Sequence, residues 1–225
     1  MSGDNYLTIA EALCRELDGQ LLVRELRPGD FVHLEGDSAT SLSIVAGGQL
    51  VVHAYPPGSF EPAAVGVLGP GSLIGEEALA SGALRHSTVT ALTTCHLFVA
   101  FREDLIEHMT AHPTVRRLFF RLQGELHRAR LREGLANSAA KVDLRIARWL
   151  HHCAEVTAGV RQGAVVVHLR QELLASLAAT RRPTANRVLQ EFETQGLIRL
   201  RRGAVEVTSR PDLLEWITLN TKDTS

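Results

Sequence analysis

The sequence predicts an α+β chain in three parts: an N-terminal β-roll of the jelly-roll type, one long helix, and a C-terminal winged helix-turn-helix. Three observations predict it. Between Leu21 and Ala100, short β-type runs alternate with Gly- and Pro-containing turns. From Pro113, apolar residues step by four and three through the longest helical run. Between Leu169 and Val207, two helical patterns joined by a small-residue turn precede two short alternating runs. A length of 225 residues suits one large domain or two modest ones, and 45% hydrophobic residues supply a packed core.

In chain order, Tyr6 to Leu17 reads as a short amphipathic helix with Leu7, Ala10, Leu13, Cys14 and Leu17 along one side. The period then changes. Leu22–Leu26, Phe31–Leu34, Leu42–Val45, Gln49–His53 and Ala64–Leu68 are short β-type runs. Pro28-Gly29-Asp30, Gly36-Asp37, Gly47-Gly48, Pro56-Pro57-Gly58 and Gly69-Pro70-Gly71 separate them. Strands resume at Ser87–Ala91 and His96–Ala100. Regular short strands with glycine turns suggest a small barrel or roll.

The long run after Pro113 places Val115, Phe119, Leu122, Leu126, Ala129, Glu133 and Ala136 in one seam. Such a seam suits a two-stranded coiled coil, with Arg116, Arg117, Arg121, Arg128, Arg130 and Arg132 around it. A core helix is the alternative, which so many arginines disfavour. Asn137-Ser138 ends the seam and offers an N-cap for a helix from Ala139 to Ala154, with Leu135–Ser138 as the hinge. Arg161-Gln162-Gly163 is a turn, Val165–Val167 a short strand, and Thr218–Ser225 a polar tail.

The helix-turn-helix reads LRQELLASLAATRRPTANRVLQEFETQGLIRL. Leu173, Leu174, Leu177 and Ala178 mark its first helix, and Ala179-Thr180 the turn. Ala185, Val188, Leu189 and Phe192 line the inner face of its second helix. Pro183 falls in that helix's first turn, where its missing N–H costs nothing, and Gly196 stops it. Arg181, Arg182, Thr184, Asn186, Arg187 and Gln190 remain for the outward side. An arginine fork matches guanine O6 and N7, and Asn matches adenine, so this side suits the major groove of double-stranded DNA. Leu197–Leu200 and Ala204–Val207 form a hairpin with a basic tip at Arg201-Arg202-Gly203, a wing. Arg201, Arg202, Thr180 and Arg170 are placed for phosphates, which position a domain without reading sequence. A solvated basic face is the alternative. The turn, the arginines at the helix start and the basic tip together favour DNA.

Charge is uneven along the chain. From Lys141 onward there are 13 Lys and Arg against 9 Asp and Glu, a net of +4; up to Ala140 there are 11 against 16, a net of −5. A basic C-terminal half suits a reader joined to a sensor. Cys14, Cys95 and Cys153 are far apart and odd in number, so neither a disulfide framework nor a zinc site is implied. The N-terminus has no leader pattern, and no apolar run approaches the ~20 residues of a membrane helix. The chain is therefore expected in the cytoplasm, away from membranes, with reduced thiols. No nucleophile–base–orienter set stands out, so an enzyme is not expected.

The series RPGDFVHLEGD, LSIVAGGQLVVHA, GPGSLIGEEAL, RHSTVTAL and TRRPTANRVLQEFETQGLI resembles the Crp/Fnr superfamily of bacterial transcription regulators, from about Leu21 to Val207. The resemblance implies a cyclic-nucleotide-binding-like sensor over residues 1–103, a dimerisation helix over 104–136 and a winged-helix DNA-binding domain over 137–225. It implies a homodimer on a pseudo-palindromic operator, with RNA polymerase as a further partner. Gly71–Leu79 and Arg85–Val89 resemble the family's phosphate-binding cassette. Gly75, Glu76 and Arg85 match its Gly-Glu pair and its arginine, and Glu77, His86 and Ser87 complete the candidate effector set. A cyclic nucleotide or related anion is the effector this implies, since Arg clamps phosphate and exposed amides bind anions.

The cassette departs from the pattern in two places. His86 stands where Ser or Thr is usual, and the segment between Glu76 and Arg85 is about one residue short. Arg128–Arg132 carries no hydroxyl where the family's adenine contacts lie. In the recognition helix, Arg182 and Arg187 match the family's two arginines, and Pro183 stands at its Glu position. A haem-based gas or redox sensor of the same family would draw axial ligands from His33, His53, His86, His96 and Cys95, each of which reads better as an ordinary surface or core residue. A sensor module acting through protein partners is the other alternative, and the basic recognition face argues against it.

Overall fold

The computed structural model describes residues 3–80, 82–138, 140–158 and 163–222, which divide into two compact units. The first comprises Met1–Ala54 and Leu68–Glu133; the second comprises Tyr55–Val67 and Gly134–Ser225.

The first unit opens with α1 (Gly3–Glu16) and then builds two antiparallel sheets. Its strands are β1 (Leu22–Leu26), β2 (Phe31–His33), β3 (Ser41–Gly47), β4 (Leu50–Ala54), β6 (Leu73–Ile74), β7 (Thr88–Ala91) and β8 (Cys95–Phe101); β5 (Ala63–Leu68) lies between β4 and β6 in the chain. One sheet has the order β1-β8-β3-β6, and β2, β7 and β4 stand in that order in the other. Alternation sends Val45, Leu50, Ile74, Val89 and Leu97 into one cluster drawn from both sheets. The neighbouring residues Leu42, Ile44, Leu73 and Ala100 face the opposite way, against helices.

Those helices are α1, α2 (Arg102–Ala111) and α3 (Pro113–Ser138). Ile9, Leu13 and Leu17 meet Val115, Phe119, Leu122 and Leu126 over the sheet. The expected coiled-coil seam is therefore corrected. Val115, Phe119, Leu122 and Leu126 are buried in the chain's own core, Leu122 with 0% of its surface exposed. A helix packed on a sheet needs the same four-and-three spacing as a helix packed on its twin, so spacing marks the buried stripe but not what covers it. The opposite face carries Phe120, Leu131 and Leu135, which are 64%, 53% and 66% exposed. At 3.6 residues per turn these three fall within about 60° of one another.

The second unit contains α4 (Val142–Ala158), β9 (Val165–Val167), α5 (Gln171–Leu177), α6 (Arg182–Thr194), β10 (Ile198–Arg201), β11 (Ala204–Val207) and α7 (Arg210–Lys222). β10, β11 and β9 form one antiparallel sheet in that order. Leu144, Trp149, Leu150, Cys153, Leu174, Val188, Leu189, Phe192 and Leu213 are buried, and Phe192 meets Trp216 edge-on at 4.9 Å.

Two further expectations are corrected. Leu135–Ser138, the expected hinge, is the last turn of α3 and follows directly on the division between the units at Glu133 and Gly134. Ser138 Oγ donates back to Leu135 O at 2.9 Å, so it satisfies its own helix instead of capping the next one, which starts at Val142. The polar tail from Thr218 is helical as far as Lys222, with Thr218 and Thr221 hydroxyls bonded to Leu214 and Ile217 carbonyls. Arg161 and Gln162 of the expected turn lie outside the described residues, as do Ala139 and residues 223–225.

Candidate nucleic-acid interface and effector cassette

The recognition helix is α6. Ala185, Val188, Leu189 and Phe192 turn inward and are buried. Arg181, Arg182, Arg187 and Gln190 are exposed, and Thr184 is half-buried. Pro183 sits in the first turn, and Arg181 takes the extended N-cap conformation without a side-chain cap bond. The N–H groups at this end are left for an outside acceptor. Asn186 stands out less than its place in the sequence suggests: it is half-buried, and its Oδ1 is shielded without a partner.

The wing turns at Arg202-Gly203, where Gly203 has φ 73°. Arg170 precedes α5 as its N-cap residue. Arg170, Arg182, Arg201 and Arg202 converge, with Glu172, on one cleft of ≈ 360 Å³. The start of α5, the start of α6 and the wing tip thus present a single basic concavity.

Several of these arginines hold carboxylates of their own chain. Arg182 pairs with Glu172 at 2.9 Å, Arg187 with Glu191 at 2.8 Å, and Arg201 with Glu206 at 2.6 Å. The sequence reading missed these three partners. The i,i+4 spacing of Arg187 and Glu191 was a usable signal, as was the five-residue hairpin separation of Arg201 and Glu206; the Arg182–Glu172 pair depends on the approach of two helices. The exposed Arg182 and Arg187 pairs are worth at most about 1 kcal/mol each, so a phosphate or a base edge can displace them. Among the described residues, Arg170, Arg181 and Arg202 make no ion pair.

The candidate effector cassette lies in the first unit. Gly75, at φ 83° and ψ 27°, introduces the short 3-10 helix Glu76–Leu79. A Cβ there would collide with the Arg85 guanidinium and sit 3.0 Å from Ser41 O, so the position requires glycine on two counts. Arg85 is only 6% exposed. Its Nη2 donates to Ser41 O at 2.6 Å, and its Nη1 reaches Glu77 Oε1 at 3.3 Å. Its Nε is buried without a partner. Glu76 pairs with Arg130 of α3 at 3.1 Å, a contact across 54 residues that sequence spacing did not reveal. A buried guanidinium with an orphaned N–H beside a glycine-opened turn fits an anion.

The remaining candidates are spread around this centre. His86 is exposed and Ser87 half-buried. His33 has a shielded, unpartnered Nε2, and burial followed by the Arg85 charge lowers its pKa to about 4. The Cys95 sulfur lies 3.1 Å from Gln49 O and 3.2 Å from Thr93 O, either of which can accept its one S–H. It lies under Gly48, whose Cβ would come within 2.6 Å of the sulfur, and burial raises its pKa. Cys95 is a packed core thiol, and its neighbour His96 is exposed on the other face of β8. Burial pushes the Cys14 thiol up to about 11, which keeps it protonated and unreactive.

Together these features define a β-roll carried on the same chain as a winged helix-turn-helix. Residues 23–112 match the family model for the cyclic nucleotide-binding domain, and residues 144–216 match that for the Crp-like helix-turn-helix domain. The cyclic AMP receptor protein of Thermus thermophilus is 32% identical over 187 residues, covering 82% of this chain and 83% of that protein. The CRP-like cAMP-activated global transcriptional regulator of Mycobacterium tuberculosis is 28% identical, covering 80% and 83%. The chain belongs to the Crp/Fnr family of transcription regulators. Among solved structures, a CRP-family transcriptional regulator of Thermus thermophilus superposes with a TM-score of 0.73 at 20% identity, covering 87% of this chain and 96% of that one. The c-di-GMP-responsive global regulator CLP of Xanthomonas campestris gives 0.68 at 22%, covering 88% and 99%. No helix of the described residues is long and apolar enough to cross a membrane.

Proposed function

We propose that this chain works as a homodimeric, sequence-specific regulator in which residues 1–103 sense a small anionic effector, residues 104–136 pair two protomers and residues 137–225 read an operator. The observation that carries the reading is the convergence of the α6 N-terminus, Arg170 and the wing tip on one basic cleft. In this reading Arg182 and Arg187 face base edges. Arg170, Thr180, Arg181, Arg201 and Arg202 hold the phosphate backbone, and Thr184 and Asn186 lie beside the readers. Pro183 offers no acceptor to a cytosine amino group, so the family's usual half-site preference is altered at that base.

Dimerisation is assigned to the exposed stripe Phe120, Leu131 and Leu135 on α3, which leaves sizeable apolar surface in water on a single chain. Two copies on a two-fold axis meet two half-sites of a pseudo-palindrome. RNA polymerase is the partner through which a bound dimer would act on transcription. The effector class is read from Arg85: its buried charge and free Nε–H call for an anionic oxygen. Cyclic AMP and c-di-GMP, for which a similar protein and a similar structure are named, are both cyclic phosphodiesters.

The test is selection of a randomised duplex library by the purified protein, with and without each cyclic nucleotide. Enrichment of a two-fold symmetric site supports the reading; uniform recovery of all sequences removes it. Calorimetry with the same nucleotides tests the effector separately.

A further inference from the structure

The turn before the recognition helix stands on Ala179, the one non-glycine residue with positive φ among the described residues, at 46°. Left-handed backbone is unfavourable for any residue with a Cβ. Backbone bonds from Ala179 N to Ser176 O and from Thr180 N to Ala175 O, both 2.9 Å, shape the turn. Its carbonyls are held from outside. Arg145, on the first turn of α4, donates Nε–H to Ala178 O at 2.9 Å and Nη2–H to Ala179 O at 3.4 Å. Its Nη1 donates to Ala140 O at 2.6 Å, just beyond the end of α3. One half-buried guanidinium thus joins the α3–α4 junction to the turn that aims α6. The positive charge also sits at the C-terminal end of α5, where a helix dipole favours it.

We propose that Arg145 is the positioning residue of the recognition helix: its fork holds the left-handed turn at Ala179 and thereby sets the direction of Arg182 and Arg187. This rests on the DNA reading given above. The planar fork is essential, because three carbonyls in two places must be met by rigidly placed N–H groups, and a lysine ammonium on a flexible stem does not reproduce that geometry.

The test compares Arg145→Gln and Arg145→Lys, each alone and combined with Ala179→Gly, in the full chain. Two quantities are read: affinity for the tightest duplex selected by the unchanged protein against a scrambled duplex, and native-state hydrogen exchange at the amides of Ala179 and Thr180. Arg145→Gln is expected to weaken the selected duplex about tenfold, the scale of a lost charge-assisted hydrogen bond, while the scrambled duplex changes by less than about twofold. Exchange at both amides should rise by about the same factor. Ala179→Gly, which adopts the turn unaided, should return both readouts to within about twofold of the unchanged chain. Arg145→Lys should fall between, although it keeps the charge.

A residue that served only overall stability would lower both duplex affinities together, with no rescue by glycine, and that result overturns the proposal. Unchanged exchange in Arg145→Gln overturns it as well, whatever the DNA result. If Arg145→Gln does not fold, the Arg145→Lys pair with and without Ala179→Gly carries the same comparison. If the unchanged protein selects no duplex, it is the DNA reading that fails, and the exchange measurements still decide whether Arg145 holds the turn.

Discussion

Replacing Leu131 and Leu135 by lysine tests the two faces of α3 against each other. Full burial of a leucine is worth about 1.5–3 kcal/mol. Leu131 and Leu135 are 53% and 66% exposed in the single chain. Each therefore withholds roughly 1–1.5 kcal/mol that only a partner can recover. Two such residues on each of two protomers amount to about 4–6 kcal/mol, or roughly three to four orders of magnitude in the dimer dissociation constant. Four lysines brought together near a two-fold axis add repulsion. Folding should hardly change, since both side chains already face water and exposed substitutions usually stay within about 0.5 kcal/mol. Sedimentation velocity over a concentration series should show a monomer, while circular dichroism shows the same folded spectrum and a melting temperature lowered only by the stabilisation that dimerisation contributed at that concentration. Leu122→Ala is the control on the other face: buried in the chain's own core, it should cost about 3–5 kcal/mol of folding stability. The reasoning is refuted if the double lysine variant remains as tight a dimer as the unchanged chain, or if Leu122→Ala dissociates a protein whose stability is intact.

Arg187→Ala should cost about 1–3 kcal/mol and relax preference at one base pair of each half-site, read by binding to an operator library. Arg202→Ala, at an unpaired wing arginine, should weaken all sequences alike and lower the salt slope by about one, read in a salt series. Gly75→Ala should destabilise the protein by about 2–4 kcal/mol in urea unfolding, because left-handed backbone and a collision with the buried Arg85 combine. His33 titrates at about 4 when folded against 6.5 as a free side chain. Between those values the unfolded chain binds a proton that the folded chain refuses, so stability falls on acidification from pH 6.5 toward 4. His33→Asn should flatten that part of the stability–pH curve, and an unchanged slope would show that other groups set it.

The sequence by itself determined the element types, because these follow from local rules. Alternation with glycine turns is legible as strands and four-and-three spacing as helix. A proline, an arginine cluster and a basic Gly-tipped hairpin in the right order are legible as a winged helix-turn-helix with an exposed reading face. Gly75 and Arg85 were legible as neighbours in one glycine-opened turn through a resemblance in order and spacing, and they do meet there. Tertiary structure alone decided what each surface meets. The same periodic stripe on α3 serves a sheet or a twin helix equally well, and only packing assigned Val115, Phe119, Leu122 and Leu126 inward and Phe120, Leu131 and Leu135 outward. Glu77 as the partner of Arg85, and Arg130 as the partner of Glu76, depend on approaches of 8 and 54 residues that no local pattern encodes. Arg145 was one arginine among many on an amphipathic helix until the fold set its fork against the carbonyls of Ala140, Ala178 and Ala179. Local backbone preference acts over a few residues and can be read along the chain. Charge pairing and carbonyl capture act through space, and which groups come within 3 Å is set only when the core closes.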